Sequence, residues 1–161
     1  MNYELEELID TYGEKLLRYA TSILGNHQDA EDVVQDVFLS VYRNQAGFNG
    51  QHLSAWLYKI TYHKSINKLK RRRLFIVGAI PENTVAPEHT DTGDDILYAL
   101  RLLKPQDRAL LYARIIGGYD YEELSQQMNK SPATLRKRYE RAKKKLANHL
   151  GIIIEGIKKY D

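Results

Sequence analysis

Apolar side chains return every three or four residues through nearly every long segment of this chain, a spacing that leaves room for little but helices. Leu5, Leu8, Ile9, Leu16, Leu17, Ala20, Ile23 and Leu24 mark a first stripe over residues 3–24, with Gly13 a candidate break into two helices and Gly25-Asn26 a stop signal. A second helix is expected over residues 29–44 with Asp29 as its N-cap, and a third over 53–73 after the loop sequence QAGFNGQ. Residues 74–93 (LFIVGAIPENTVAPEHTDTG) lose the period and hold two prolines, so they read as a linker, extended in part, whose apolar start packs on a neighbour. The period resumes over 94–103, from Pro105 to Gly117-Gly118, over 121–128 and over 132–150. The expectation is an all-α fold: two small helical domains, 1–73 and 94–161, joined by a flexible linker 74–93, the C-terminal one a helix-turn-helix.

Composition narrows the classes. With 43% hydrophobic and 28% charged residues, the 161-residue chain has the balance of a folded soluble protein. It has no cysteine, which removes disulfide and thiolate chemistry. No stretch nears the roughly 20 apolar residues of a membrane span, and the acidic start MNYELEELID is unlike a signal or transit peptide, so no membrane insertion and a cytoplasmic location are expected. No Gly-rich phosphate loop or metal signature is present and the five histidines are scattered, so no catalytic residue, metal or cofactor is expected.

Charge is unevenly placed. Residues 1–40 hold nine acids against two bases, while residues 41–80 hold eight bases and no acid; the sign then alternates again, which suggests separate partners for separate segments. On the second helix, Asp29, Asp32 and Asp36 share one arc with Leu39, and Gln35 lies beside it, opposite the core arc of Ala30, Val34, Val37, Phe38 and Val41. Asp32–Asp36 is a like-charged i, i+4 pair that costs a few tenths, about 0.3 kcal/mol, and an apolar Leu39 beside it is odd for a merely solvated face. A face of acids and one leucine suits docking to a basic protein surface.

The stretch YDYEELSQQMNKSPATLRKRYERAKKKL has the build of a helix-turn-helix. Leu124 and Met128 face a core, Asn129 suits a left-handed turn residue, Ser131 is an N-cap and Pro132 a first helical residue. Leu135, Tyr139, Ala142 and Leu146 form one stripe of the last helix. Ala133, Thr134, Arg136, Lys137, Arg141 and Lys144 occupy its other side, where small N-terminal residues and cations can approach base edges and phosphates in a major groove.

The third helix interleaves aromatics with bases: Trp56, Tyr58 and Tyr62 among Lys59, His63, Lys64 and Lys68, then Lys70–Arg73. Such rings stack on unpaired bases while cations hold phosphates. The helix carries two apolar patches, one of Leu53, Trp56, Leu57 and Ile60 and one of Ala55, Tyr58, Tyr62, Ile66 and Leu69. It either sits centrally in a bundle or offers one face to a ligand.

The pair DAEDVVQDVFLSVYRN and LSAWLYKITYHKSINKLKRRR resembles regions 2.2 to 2.4 of bacterial sigma factors, and LKPQDRALLYARIIGGYDYEELSQQMNKSPATLRKRYERAKKKL resembles their region 4. The short length, with only a linker between, is similar to the extracytoplasmic-function (ECF) subfamily of the sigma-70 family. The resemblance implies binding to core RNA polymerase, promoter opening at the −10 element by the first domain, and duplex reading at the −35 element by the second. It assigns Asp29, Asp32, Gln35, Asp36 and Leu39 to the β′ clamp helices, with further contact to the β subunit. Phe48, Asn49, Gln51 and His52 would capture a flipped base, and Trp56, Lys59, Tyr62 and His63 would line the melted strand. Ser131, Ala133, Thr134, Arg136, Lys137, Arg141 and Lys144 would meet the −35 duplex. An anti-sigma factor is a further implied partner. The chain departs from the family at His63 and Asn67, where asparagine and aspartate are usual.

The rival reading is a helix-turn-helix regulator that acts on duplex operators without polymerase. A binder that only sequesters another protein is a third, and it leaves the basic, aromatic third helix without a purpose.

Overall fold

The computed structural model describes residues 4–45, 48, 52–75 and 99–150. Six helices carry the fold in these segments: α1 Leu5–Leu24, α2 His27–Arg43, α3 Leu53–Phe75, α4 Pro105–Ile115, α5 Tyr121–Met128 and α6 Pro132–Leu150. No strand occurs among the described residues. Residues 99–101 are also helical, the end of the helix expected over 94–103, whose earlier part lies outside the described residues.

Gly13 does not divide α1. One mid-helix glycine costs about 1 kcal/mol against alanine, and the buried stripe Leu8, Leu16, Tyr19, Ala20, Ile23 and Leu24 spans both sides of it. Left-handed Gly25 ends the helix. The next helix starts two residues before the expected boundary. Asn26, not Asp29, is the N-cap, its side chain accepting from the Asp29 N–H at 3.0 Å. Asp29 is therefore the third helical residue, and its carboxylate is free for another use. The third helix runs to Phe75, two residues into the stretch expected to be linker. The rest of that linker lies outside the described residues.

In the C-terminal half the local chemistry sets each boundary. Pro105 opens α4. Asp120 and Glu123 form a reciprocal capping box at the start of α5, and Asn129 closes it at φ 55° in the left-handed region. The Ser131 hydroxyl accepts from the Thr134 N–H at 3.2 Å and caps α6. Asn and Ser at these places spare the backbone the strain and the orphan donors that other residues would leave.

The halves pack on each other through α3. One side of α3 lies on α1 and α2, and the other meets α5 and, more lightly, α4. Leu57, Tyr58, Tyr62 and Ile66 are all buried. Both apolar patches foreseen on this helix are thus covered, and it sits centrally in a bundle. α4 also lies against α1.

Candidate nucleic-acid interface

The exposed side of α6 is built by its caps. With Leu135, Tyr139 and Ala142 buried, the 3.6-residue period turns Ala133, Thr134, Arg136, Lys137, Arg141 and Lys144 to solvent, together with Ser131 in the turn. All seven residues named for duplex contact therefore lie on one open surface. Arg136 is steadied by the Tyr121 ring, 5.2 Å below its guanidinium carbon. Lys143, on the inner side, is buried over the Tyr139 ring and paired with Glu140 at 3.3 Å.

The residues named for the melted strand fall into two groups. Phe48 stacks on Trp56 with ring centroids 4.3 Å apart, and both border a cleft of ≈ 440 Å³ with His52 and Lys59. The far wall of this cleft belongs to α5 and its cap: Asp120, Glu122, Glu123, Gln126 and Gln127. Tyr62 and His63 do not line it. Tyr62 is buried, edge-on to His63. His63 is half-buried beside the Gln127 backbone; burial, with Lys59 and Lys70 nearby, lowers its pKa. Asn49 and Gln51 lie outside the described residues. Lys59 is the exposed cation of the group.

The acidic arc of α2 is split. Gln35, Asp36 and Leu39 are exposed, Leu39 at 43%, and Tyr42 extends the apolar part at 54%. Asp29 is turned inward, 2.5 Å from the Arg72 guanidinium and 4.0 Å from Lys68 Nζ. Asp32 meets the same Lys68 at 3.5 Å. The first two acids thus hold the basic end of α3, and the open part of the arc centres on Asp36, Leu39 and Tyr42.

Two features were not foreseen from sequence. The first is a tyrosine cluster between the halves. Tyr19 stacks on Tyr58 (4.7 Å) and Tyr112 (5.6 Å), Tyr119 meets Tyr58 edge-on at 5.1 Å, and the Tyr119 hydroxyl bonds Ser54 Oγ at 2.7 Å. Burial, reinforced by Tyr112 and Tyr119, pushes the Tyr58 phenol up to about 12, and burial holds the Tyr19 phenol well above its ordinary range. Gly117 and Gly118 aim Tyr119 here: a Cβ on Gly117 would stand 2.9 Å from the Tyr119 ring and 2.6 Å from the Ala113 carbonyl, and Gly118 has φ 72°. The second is Arg108. Its guanidinium donates to the carbonyls of Ser22 (2.9 Å) and Ile23 (2.6 Å) at the end of α1 and of Leu103 (2.7 Å). Those α1 carbonyls have no partner within the helix and carry its negative dipole end, so a cation fits there. Single-residue spacing gave no signal for either feature, since both join positions far apart in the chain.

Two helical lobes make up the described structure, the second a helix-turn-helix with an open basic face and the first with an aromatic, basic central helix. Residues 8–75 match the sigma-70 region 2 family and residues 93–146 the sigma-70 region 4 family, in that order. The chain belongs to the sigma-70 family, as an ECF sigma factor. It is 28% identical to the ECF RNA polymerase sigma factor SigE of Mycolicibacterium smegmatis over 90% of this chain and 61% of that protein. It is 24% identical to the ECF RNA polymerase sigma factor SigM of Mycobacterium tuberculosis over 96% of this chain and 81% of that one. The fold is shared with the sigma factor RpoE from Bartonella quintana, solved in complex with the anti-sigma factor NepR: TM-score 0.79, 23% identity, covering 91% of this chain and 96% of that chain. Among the described residues no helix is long and apolar enough to cross a membrane.

Proposed function

We propose that this chain joins core RNA polymerase in the cytoplasm and directs it to promoters, acting by binding rather than catalysis. The observation that carries the reading is the ordered pair of matches to sigma-70 regions 2 and 4, with an exposed basic recognition face on the second. In this reading the N-terminal lobe, 1–73, recognises and opens the −10 element, and the C-terminal lobe, 94–161, reads the −35 element as a duplex. The exposed side of α6 enters the major groove: Thr134, Arg136 and Lys137 near its start meet bases, and Arg141 and Lys144 meet phosphates. Phe48, His52, Trp56 and Lys59 take the melted strand, offsetting the unstacking of a flipped base with new stacking and charge contacts. Tyr62 and His63 support that surface from within.

Polymerase docks on α2 through Asp36, Leu39 and Gln35, with Tyr42 beside them. Asp32 contributes from the edge of this patch, and Asp29 acts indirectly through the basic end of α3. An anti-sigma factor is a natural further partner, supported by the complexed state of the Bartonella relative. The rival regulator that works without polymerase is disfavoured, because it has no need for a region 2 match. Gel filtration with purified core polymerase tests the reading. Co-elution is expected, and a chain that elutes alone at micromolar concentrations overturns it.

A further inference from the structure

Tyr121 is the first residue of α5, and its ring reaches across to α6. It stands edge-on to the Tyr139 ring at 6.1 Å, and Tyr139 is buried in the core. The reciprocal capping box of Asp120 and Glu123 fixes the backbone on either side of it. Two guanidiniums lie over this one ring, Arg114 at 4.6 Å and Arg136 at 5.2 Å from its centroid.

The two arginines are not equivalent. Arg114 Nη1 donates to the Tyr119 carbonyl at 3.0 Å, which ties it to the loop before α5. Arg136 is exposed, and among the described residues the ring is its partner and no hydrogen bond or ion pair holds it. Stacking occupies the flat face of a guanidinium and leaves the N–H fork at its edge unspent. That fork matches the paired acceptors O6 and N7 that guanine shows in a major groove. On the open face of α6, among the described residues, Arg136 is the one cation over a ring; Arg141 Nε instead touches the Lys137 carbonyl at 3.5 Å. An unsupported arginine visits many rotamers, and being fixed in one of them on binding costs entropy. A ring-mounted arginine has given up part of that freedom beforehand.

We propose that Tyr121 is a positioning residue for base reading: its ring presents the Arg136 guanidinium edge-first to the major groove and so sets a preference for guanine at one position of the duplex element. This rests on the duplex-reading role given to α6 above. Tyr121 acts through Arg136 and needs no contact with DNA. Its effect is confined to the base pair that Arg136 reads, because the ring carries no other cation of the open face.

The test uses the full chain joined to core polymerase, and a pool of duplex promoters whose upstream segment is randomised. Wild type should enrich an upstream element, and Arg136→Ala should lose a guanine preference at one position of it. Tyr121→Leu should weaken the preference at that same position about three- to fivefold, the worth of one exposed cation–π contact, and leave the other positions as in wild type. Tyr121→Phe keeps the ring and should keep the preference. In the Arg136→Ala background, Tyr121→Leu should add nothing at that position. Tyr121→Gln takes the place of Tyr121→Leu if the leucine variant loses helical signal. A preference that survives loss of the ring overturns the positioning role. So does one relaxed equally at every position, which is what lost packing alone gives, and so does an Arg136→Ala variant with every preference intact. Failure of the duplex-reading role itself would show separately, as no upstream element enriched by wild type.

Discussion

Arg72 on α3 closes on the Asp29 carboxylate of α2 at 2.5 Å, and Asp29 is only 16% exposed. The acid that begins the acidic face of α2 therefore looks inward and anchors the basic tail of α3. Its neighbour Asp32 is drawn in the same direction by Lys68. From Asp36 onward the face is turned to solvent.

Asp29→Asn should accordingly behave as a stability variant. Arg72 is 43% exposed and well solvated, so the loss is modest, about 1 kcal/mol or a melting shift of about 3 °C. Calorimetry measures it. Core polymerase binding should fall less than for a charge reversal at Asp36; an equal fall would place Asp29 in the docking face.

The turn of the helix-turn-helix gives a second test. Asn129 holds φ 55°, a conformation that costs a residue with a plain Cβ about 1 kcal/mol. Asn129→Ala should lower stability by about that amount, and Asn129→Gly should be neutral within about 0.5 kcal/mol. Chemical denaturation midpoints distinguish the two.

The tyrosine cluster predicts alkaline sensitivity. Tyr58 is held neutral up to about 12 by burial, then by Tyr112 and Tyr119, while in the unfolded chain it ionises near 10. Its contribution is therefore complete below pH 10 and lost as pH rises toward 12, at most about 3 kcal/mol. Melting temperatures across that window should fall in wild type and less steeply in Tyr58→Phe. Parallel slopes would remove Tyr58 from the effect.

Much of the fold was legible because its signals are local. Asn129, Ser131 and Pro132 each act within one turn of their own position, and the α5 and α6 boundaries follow from them. The buried stripe of α6 was legible for the same reason: period alone separates Leu135 and Tyr139 from Arg136 and Lys137. Asp29 was misassigned as a cap because Asn26, three residues earlier, is equally good at capping, and the pull of Arg72 from 43 positions away leaves no trace in spacing. Arg108 and the cluster of Tyr19, Tyr58, Tyr112 and Tyr119 escaped for a related reason. A tyrosine at helical spacing looks the same whether its ring meets its own lobe, the other lobe or a base.

The recognition helix predicts a salt signature. Each cation that touches phosphate releases counterions on binding. Replacing Arg136, Lys137 or Arg141 singly by alanine should therefore reduce the slope of log affinity against log salt by about one unit for duplex promoter DNA. Lys143→Ala, on the buried side with Glu140 and Tyr139, should leave the slope unchanged. Fluorescence anisotropy over a salt series reads both.

The most direct measurement is mapping of transcript start sites made by purified core polymerase with this chain, with Asp36→Lys as the matched variant. Wild type should produce discrete starts, each behind a shared pair of upstream elements, and Asp36→Lys should lose them while keeping duplex affinity. Starts no different from core polymerase alone, or discrete starts that Asp36→Lys leaves intact, would contradict the division of acids for the enzyme and bases for the promoter.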